Sequence, residues 1–309
     1  MSKRKIIIDT DPGIDDAVAL AIALFSEELD VQLITTVAGN VSIEKVTKNT
    51  LKLLPFYGKK IPVAMGASRP LLREPVDASG VHGETGMDGY DFPEEDQSLL
   101  LDKNAVEAMH EVIMNSAEKI TLVPLGPLTN IALLIREYPE VIKRIDEVVL
   151  MGGSVGRGNA GVYSEFNIKV DPEAAKIVFE SGLNIVMAGL DVGLKALVYP
   201  EDSELIKDMN PVGNMFYHLF KTYRGGSFKV GLKMYDSCAI AYLLKPEMFE
   251  VVETFVGIET QGEYTAGATV VDLNGYCGRP VNAKVTIDIN EDMFKSWFLG
   301  SIRECQNNI

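Results

Sequence analysis

The chain has 309 residues, of which 47% are hydrophobic, so the sequence can form a large core in one domain or in two. The formal net charge of −15 at pH 7 argues against nucleic acid as a partner and favours a neutral or cationic small molecule or a metal ion. The sequence has no apolar stretch near the roughly 20 residues that span a bilayer, no signal-peptide pattern and no paired cysteines, so we expect a cytoplasmic protein without a membrane partner.

Short β-branched runs alternate with helical patterns along the chain, which is typical of βαβ units and a mostly parallel sheet. Strands are predicted over 5–9, 31–37, 120–123, 147–151 and 185–188, and helices over 15–25, 42–54, 104–116, 129–136 and 172–181. Two polar, glycine-rich stretches, 66–97 and 152–164, interrupt this alternation. Long loops of this kind often carry function.

The last third of the chain follows a less regular pattern. A helix is predicted from Asp236, then strand-like runs over 251–258, 268–272 and 283–289, then a final helix. These late strands could extend the sheet with antiparallel pairs. Because no low-complexity linker or repeat divides the chain, we expect a single α/β domain over 1–309, with a twisted sheet flanked by helices.

Four carboxylates follow the first predicted strand, in the run Asp9-Thr-Asp-Pro-Gly-Ile-Asp-Asp16. The Pro-Gly pair turns the chain, so all four should meet at the carboxyl end of the strand, where open α/β sheets bind ligands. Two unit charges about 5 Å apart repel by roughly 3 kcal/mol at an effective dielectric of about 20, and a helix N-terminus returns only about 1 kcal/mol per charge. A hard cation, Ca²⁺ or Mg²⁺, would relieve this repulsion. The alternative is that Asp15 and Asp16 cap the helix while the other two are solvated.

A second polar group lies in the later loop, where Asn159 precedes the run Ser164-Glu165-Phe166-Asn167. Amides and a carboxylate supply both donors and acceptors, which a polyhydroxylated ligand such as a sugar needs. The alternative is an ordinary solvated loop.

The chain closely resembles the inosine-uridine-preferring nucleoside hydrolases over almost its whole length. The resemblance rests on seven motifs in order: 9–16, Thr35-Thr-Val-Ala-Gly-Asn40, Val81-His-Gly-Glu84, Gly126-Pro-Leu-Thr-Asn130, Val149-Leu-Met-Gly-Gly153, Glu165-Phe-Asn167 with Asp171-Pro-Glu-Ala-Ala175, and Asp236 before an apolar helix. It implies a doubly wound fold and Ca²⁺-dependent hydrolysis of the N-glycosidic bond of ribonucleosides.

The resemblance also implies a role for each matched residue. The Ca²⁺ ligands would be the carboxylates of Asp11, Asp16 and Asp236 and the main-chain carbonyl of Leu125, with Asp11 also the general base for the attacking water. Asp9 would orient these ligands from behind. Asp15 would bind a ribose hydroxyl. The other implied substrate contacts are Asn40, Met151, Asn159, Glu165, Phe166 and Asn167.

The sequence departs from many members of this family at Tyr235, where they carry a histidine assigned as the acid that protonates the leaving base. A tyrosine is a weaker acid than imidazolium, but it can donate a hydrogen bond or stack on a base. His82 and Tyr223 are further candidates near the base. The sequence from residue 225 onward is most similar to that of the non-specific ribonucleoside hydrolases, which accept purine and pyrimidine ribonucleosides. The family forms dimers and tetramers, so a homo-oligomer is expected.

Two other functions are compatible with these residues. A Mg²⁺-dependent phosphohydrolase of the haloacid dehalogenase type also places a D-x-D pair after a first strand, although it expects Thr or Val where this chain has Gly13. The second alternative is a catalytically impaired protein that binds a nucleoside or ribose around a structural Ca²⁺. Ribose release from inosine and uridine separates these alternatives from the hydrolase.

Overall fold

The computed structural model describes residues 3–227 and 229–306. Its central feature is an eight-stranded sheet. All neighbouring strands in this sheet are parallel except one pair at an edge, Phe249–Thr254 with Ala283–Ile289, which is antiparallel. The strands of this sheet are β1 (Arg4–Thr10), β2 (Leu29–Thr36), β3 (Val63–Met65), β4 (Ile120–Pro124), β5 (Ile145–Met151), β6 (Ile185–Ala188), β10 (Phe249–Thr254) and β13 (Ala283–Ile289). The small strands are β7 (Leu197–Val198), β8 (Gly226–Ser227), β9 (Gly231–Lys233), β11 (Val256–Ile258) and β12 (Thr269–Val271).

Helices connect and cover the strands. They are α1 (Ile14–Phe25), α2 (Ile43–Phe56), α3 (Ser79–His82), α4 (Ala105–Asn115), α5 (Thr129–Glu137), α6 (Phe166–Val170), α7 (Pro172–Phe179), α8 (Leu190–Gly193), α9 (Pro200–Lys207), α10 (Pro211–Phe220), α11 (Tyr235–Leu244) and α12 (Glu291–Glu304). Short 3-10 turns lie at Gln97–Leu99, Pro139–Arg144 and Pro246–Met248.

The strand order places the site. The sheet runs β10-β13-β6-β5-β4-β1-β2-β3, so the chain moves outward from β1 to β3 and then returns to the other side of β1 at β4. The order therefore reverses between β1 and β4. In doubly wound sheets a ligand crevice forms at this reversal, outside the carboxyl ends of the strands. Residues just after β1 and β4 face this crevice.

Alternate side chains of strand β1, which is buried from Ile6 onward, enter two different hydrophobic layers. Ile6 and Ile8 pack with α1, α10, α11 and α12 on one face, whereas Ile7 packs with α4, α5 and α7 on the other. The period of two along a strand produces this division. Buried sheet faces on both sides explain why the predicted strands are continuous apolar runs.

The predicted α/β class with antiparallel strands near the C-terminus is confirmed, and the ten elements predicted before residue 190 are all present with small differences at their ends. The single strand predicted over 251–258 is wrong. Backbone pairing breaks at Phe255, so β10 joins the main sheet while β11 pairs with β12 in a separate two-stranded sheet. The strand predicted over 268–272 therefore does not extend the main sheet. Among the described residues, no helix is both long and apolar enough to cross a bilayer.

Candidate active site

The innermost carboxylate, Asp9, is held at the end of β1 by two neighbours. Its Oδ1 accepts hydrogen bonds from Thr35 Oγ1 at 2.5 Å and from Asn130 Nδ2 at 2.8 Å. Its Oδ2 is buried and has no hydrogen-bond partner within the described parts of the chain. Burial raises the pKa of Asp9 to about 7, against the effect of these two donors.

Asn40 fixes two further carboxylates. Its backbone N–H donates to Asp11 Oδ2 at 2.7 Å, and its side-chain Nδ2 donates to Asp11 O at 3.1 Å and to Asp16 Oδ2 at 3.0 Å. Asp16 also accepts from Thr10 Oγ1 at 2.6 Å and from the Gly13 N–H at 3.0 Å. Because both amide hydrogens of Asn40 are used on aspartates, only its side-chain oxygen remains for a ligand.

Three carboxylates converge closely enough to share an ion. Asp15, Asp16 and Asp236 each offer an oxygen, and these oxygens lie within 4.8 Å of one another. Asp11 falls outside this group in the described structure, yet its charge helps to raise the pKa of Asp236. Burial is the largest cause of the raised pKa of each carboxylate in the cluster, and it brings that of Asp15 to about 8.

The donor set fits a hard divalent cation. Four aspartates, Asp11, Asp15, Asp16 and Asp236, are buried side by side, and within residues 3–227 and 229–306 the ion pairs include no lysine or arginine with any of them. Carboxylates in this arrangement stay ionised together only when a positive charge is supplied. Their oxygen ligands are the type that Ca²⁺ and Mg²⁺ accept.

A single cavity joins this cluster to most of the residues singled out from the sequence. Its lining is Asp15, Asn40, Ala78, Val81, His82, Leu125, Met151, Asn159, Glu165, Phe166, Asn167, Tyr223, Tyr235 and Asp236. Of the predicted site residues, only Asp9, Asp11 and Asp16 are outside this lining, behind its carboxylate end. The predicted residues that line the cavity come from nine separate segments of the chain.

The loop after β5 supplies the polar wall of the cavity. Glu165 caps α6: its carboxylate accepts the N–H groups of Asn167 at 2.9 Å and Ile168 at 3.2 Å, and also that of Gly153 at 3.0 Å. Asn167 Nδ2 donates to Leu125 O at 2.7 Å. Asn159 Oδ1 accepts the Phe166 N–H at 2.9 Å, so the amide N–H₂ of Asn159 remains for a ligand.

The other wall is aromatic. His82 Nδ1 accepts the Ile14 N–H at 3.1 Å, so the ring proton of the neutral imidazole is on Nε2. Burial lowers the pKa of His82 to about 4. The His82 and Tyr223 rings lie 5.4 Å apart, and the Tyr223 hydroxyl donates to Lys233 O at 3.0 Å. Burial also raises the pKa of Tyr223 and of Tyr235, so both phenols are protonated near neutral pH.

Two residues that support the site, Asp191 and Gly193, were not predicted from the sequence. Asp191 in α8 accepts the backbone N–H groups of Val155 at 2.6 Å and Gly156 at 3.1 Å, and so anchors the loop that leads to Asn159. Gly193, two residues later, lies directly against the Tyr235 ring. A four-residue helix has no readable periodicity, and a residue anchoring a loop 35 positions away leaves no local signal.

Comparison with known proteins shows that this α/β protein is an enzyme of the glycosidase class, and it identifies the family. The family model described as inosine-uridine preferring nucleoside hydrolase matches residues 6–296. The chain belongs to this family. Membership excludes the phosphohydrolase alternative, and the relatives named below favour an enzyme over the binding protein.

Among curated relatives, the chain is 55% identical over 292 residues to the non-specific ribonucleoside hydrolase RihC of Salmonella paratyphi C, covering 94% of this chain and 95% of the relative. Among solved structures, a purine-preferring ribonucleoside hydrolase from Gardnerella vaginalis matches with a TM-score of 0.90 at 27% identity, covering 98% of this chain and 99% of that one. The plant nucleoside hydrolase PpNRh1 matches with a TM-score of 0.89 at 30% identity over the same shares.

Proposed function

We propose that this enzyme hydrolyses the N-glycosidic bond of purine and pyrimidine ribonucleosides, releasing ribose and the free base, with Ca²⁺ as its cofactor. The observation that carries this proposal is the single cavity, whose lining combines carboxylates with two tyrosines and a histidine. A nucleoside needs both kinds of surface, since its sugar is rich in hydroxyls and its base is flat and aromatic. The names of the curated relatives support the same substrate class.

The sugar would lie at the carboxylate end. Asp15 and Asp236 offer acceptor oxygens there, and the free N–H₂ group of Asn159 and the side-chain oxygens of Asn40 and Asn167 add a donor and further acceptors. Each ribose hydroxyl could both donate and accept in such a pocket. Met151 and Phe166 complete the wall with apolar surface.

Asp11, Asp16, Asp236 and the Leu125 carbonyl are the proposed Ca²⁺ ligands, and Asp9 would orient them from behind. When bound, the cation supplies Lewis acidity, which makes water a better nucleophile near neutral pH. Asp11 would take the proton from the attacking water. The carboxylates also stabilise the positive charge that develops on the sugar as the C1′–N bond breaks.

The leaving base would meet two neutral hydrogen-bond donors. His82 presents Nε2–H, because its Nδ1 accepts a backbone N–H. The Tyr235 hydroxyl makes no hydrogen bond in the described structure, and its raised pKa keeps it protonated, so it is free to donate to the base. With no imidazolium at this end, we propose that Tyr235 donates the proton or hydrogen bond that stabilises the departing base, with His82 as a second contact.

The experiment that tests the proposed machinery is ribose release by the Asp11→Ala variant. Turnover of inosine and uridine should be lost, because this change removes both a ligand and the base. Asp208→Ala, which removes an exposed aspartate in α9's C-terminal turn, is the matched control and should keep full activity. Substantial residual turnover by Asp11→Ala would refute Asp11 as the base.

We also propose that residues 1–309 form one catalytic domain, that it acts in the cytoplasm in nucleoside salvage, and that it assembles as a homodimer or homotetramer. Large apolar side chains that are exposed on the single chain, including Leu72, Tyr264 and Tyr276, support such an assembly. Light scattering coupled to size exclusion would give the mass of the assembly. A mass of one chain at micromolar concentration would contradict this proposal.

A further inference from the structure

The short helix α8 forms a rigid wall behind the Tyr235 ring. Leu190 N donates to Gly153 O at 2.9 Å, and the two backbone hydrogen bonds to the Asp191 carboxylate hold α8 against the loop after β5. On its other side, Met234 N donates to Ala196 O at 2.9 Å, which ties the residue before Tyr235 to the chain just after α8. The wall and the tyrosine are therefore fixed to each other.

Gly193 is the point at which this wall meets the ring. A Cβ atom built there would overlap Cδ1 of Tyr235 and lie 3.1 Å from Cε1. The glycine does not have a positive φ, so its backbone would accept alanine, and the side chain is excluded only by the ring. Tyr235 also lines the cavity. Because residue 193 has no side chain, the ring can lie close to the α8 backbone and leave more of the cavity open to a ligand.

We infer that Gly193 is a specificity-determining residue that sets the depth of the base end of the cavity through Tyr235. This inference rests on the proposed function. A methyl group at Gly193 would push the ring by roughly 1 Å, because close-packed interiors leave no slack for such an overlap. The α8 wall blocks movement away from the ligand, so the ring moves into the cavity. A bicyclic purine then loses room that a smaller pyrimidine does not need.

The test is the ratio of kcat/KM for inosine to kcat/KM for uridine in Gly193→Ala. This ratio should fall by about tenfold, the scale set by roughly one methyl group of lost space in a binding pocket. In a Tyr235→Ala background the same change should leave the ratio unaltered, because the methyl group acts only through the ring. Gly300→Ala is the matched control, since Gly300 is also helical and an added Cβ meets no atom within 4 Å.

A loss of equal size for both nucleosides, or an unchanged ratio, would overturn the inference. So would a ratio that falls just as far in the Tyr235→Ala background. A crystal structure of Gly193→Ala gives a readout independent of activity: the ring should be displaced towards the cavity, and an unmoved ring would overturn the inference. Failure of the proposed function is distinguishable, because the unmodified enzyme would then release ribose from neither nucleoside.

Discussion

Replacement of Asn40 by alanine should weaken the cation site without removing any proposed ligand. The change deletes the hydrogen bonds from Nδ2 to Asp16 Oδ2 and Asp11 O, whereas the backbone bond from residue 40 to Asp11 Oδ2 remains. A hydrogen bond to a charged acceptor contributes about 1.5–3 kcal/mol. We therefore expect Ca²⁺ affinity to fall by about 10–100-fold, the usual cost of losing a partner that orients a metal ligand.

Asn40→Asp perturbs the same space in the same direction but more strongly, because a negative charge replaces the donor. An oxygen would replace the Nδ2 that lies 3.0 Å from Asp16 Oδ2, and two ionised carboxylates at that distance would repel by about 5.5 kcal/mol at an effective dielectric of about 20. In a chelator at pH 8, this variant should unfold at a lower temperature than Asn40→Ala. Saturating Ca²⁺ should raise its Tm more than it raises that of the alanine variant.

Calorimetric titration of Ca²⁺ and thermal unfolding with and without chelator measure both effects. Unchanged Ca²⁺ affinity in Asn40→Ala would refute the orienting role of this amide. An aspartate variant more stable in chelator than the alanine variant would refute the claim that uncompensated negative charge dominates the ion-free cluster.

Three further predictions concern the walls of the cavity. Tyr235→Phe should lower kcat by roughly 100-fold with little change in KM, since it removes one proton or hydrogen-bond donor, and Tyr235→His should retain more activity; steady-state kinetics on inosine checks both. Asp191→Ala should raise KM by about tenfold with a smaller change in kcat, because the loop that carries Asn159 loses its anchor; an unchanged KM would contradict this. Burial raises the pKa of Glu165 to about 7 from 4.5, so its contribution to stability is fully present below pH 4.5 and is lost as pH rises through 7. Compared with Glu165→Gln in urea unfolding, the unmodified protein should lose about 3 kcal/mol more between pH 4.5 and 8.

The carboxylate cluster was predictable because its information is local. A buried strand, a Pro-Gly turn and a helix start lie within residues 4–16, so the sequence alone places Asp9 through Asp16 at the carboxyl end of β1. The partners of that cluster were found by resemblance, since Asp236 and Leu125 are remote in sequence.

Features set by contacts between distant segments were not predictable. The break at Phe255 follows from pairing of β10 with β13 and of β11 with β12, which the strand-like pattern over 251–258 does not reveal. The short helix α8 was missed for a similar reason. Its two contributions, the Asp191 carboxylate on the loop and the missing side chain of Gly193 behind Tyr235, exist only in the folded chain.

The most direct test of the central claim is product analysis with ion-free enzyme and Ca²⁺ added back. Inosine and uridine are incubated with enzyme in chelator, in excess Ca²⁺ and in excess Mg²⁺, and ribose and free base are quantified by chromatography. We expect equal amounts of ribose and base in Ca²⁺ and almost none of either in chelator. Equal rates in chelator and in Ca²⁺, or no ribose from either nucleoside in Ca²⁺, would contradict this expectation.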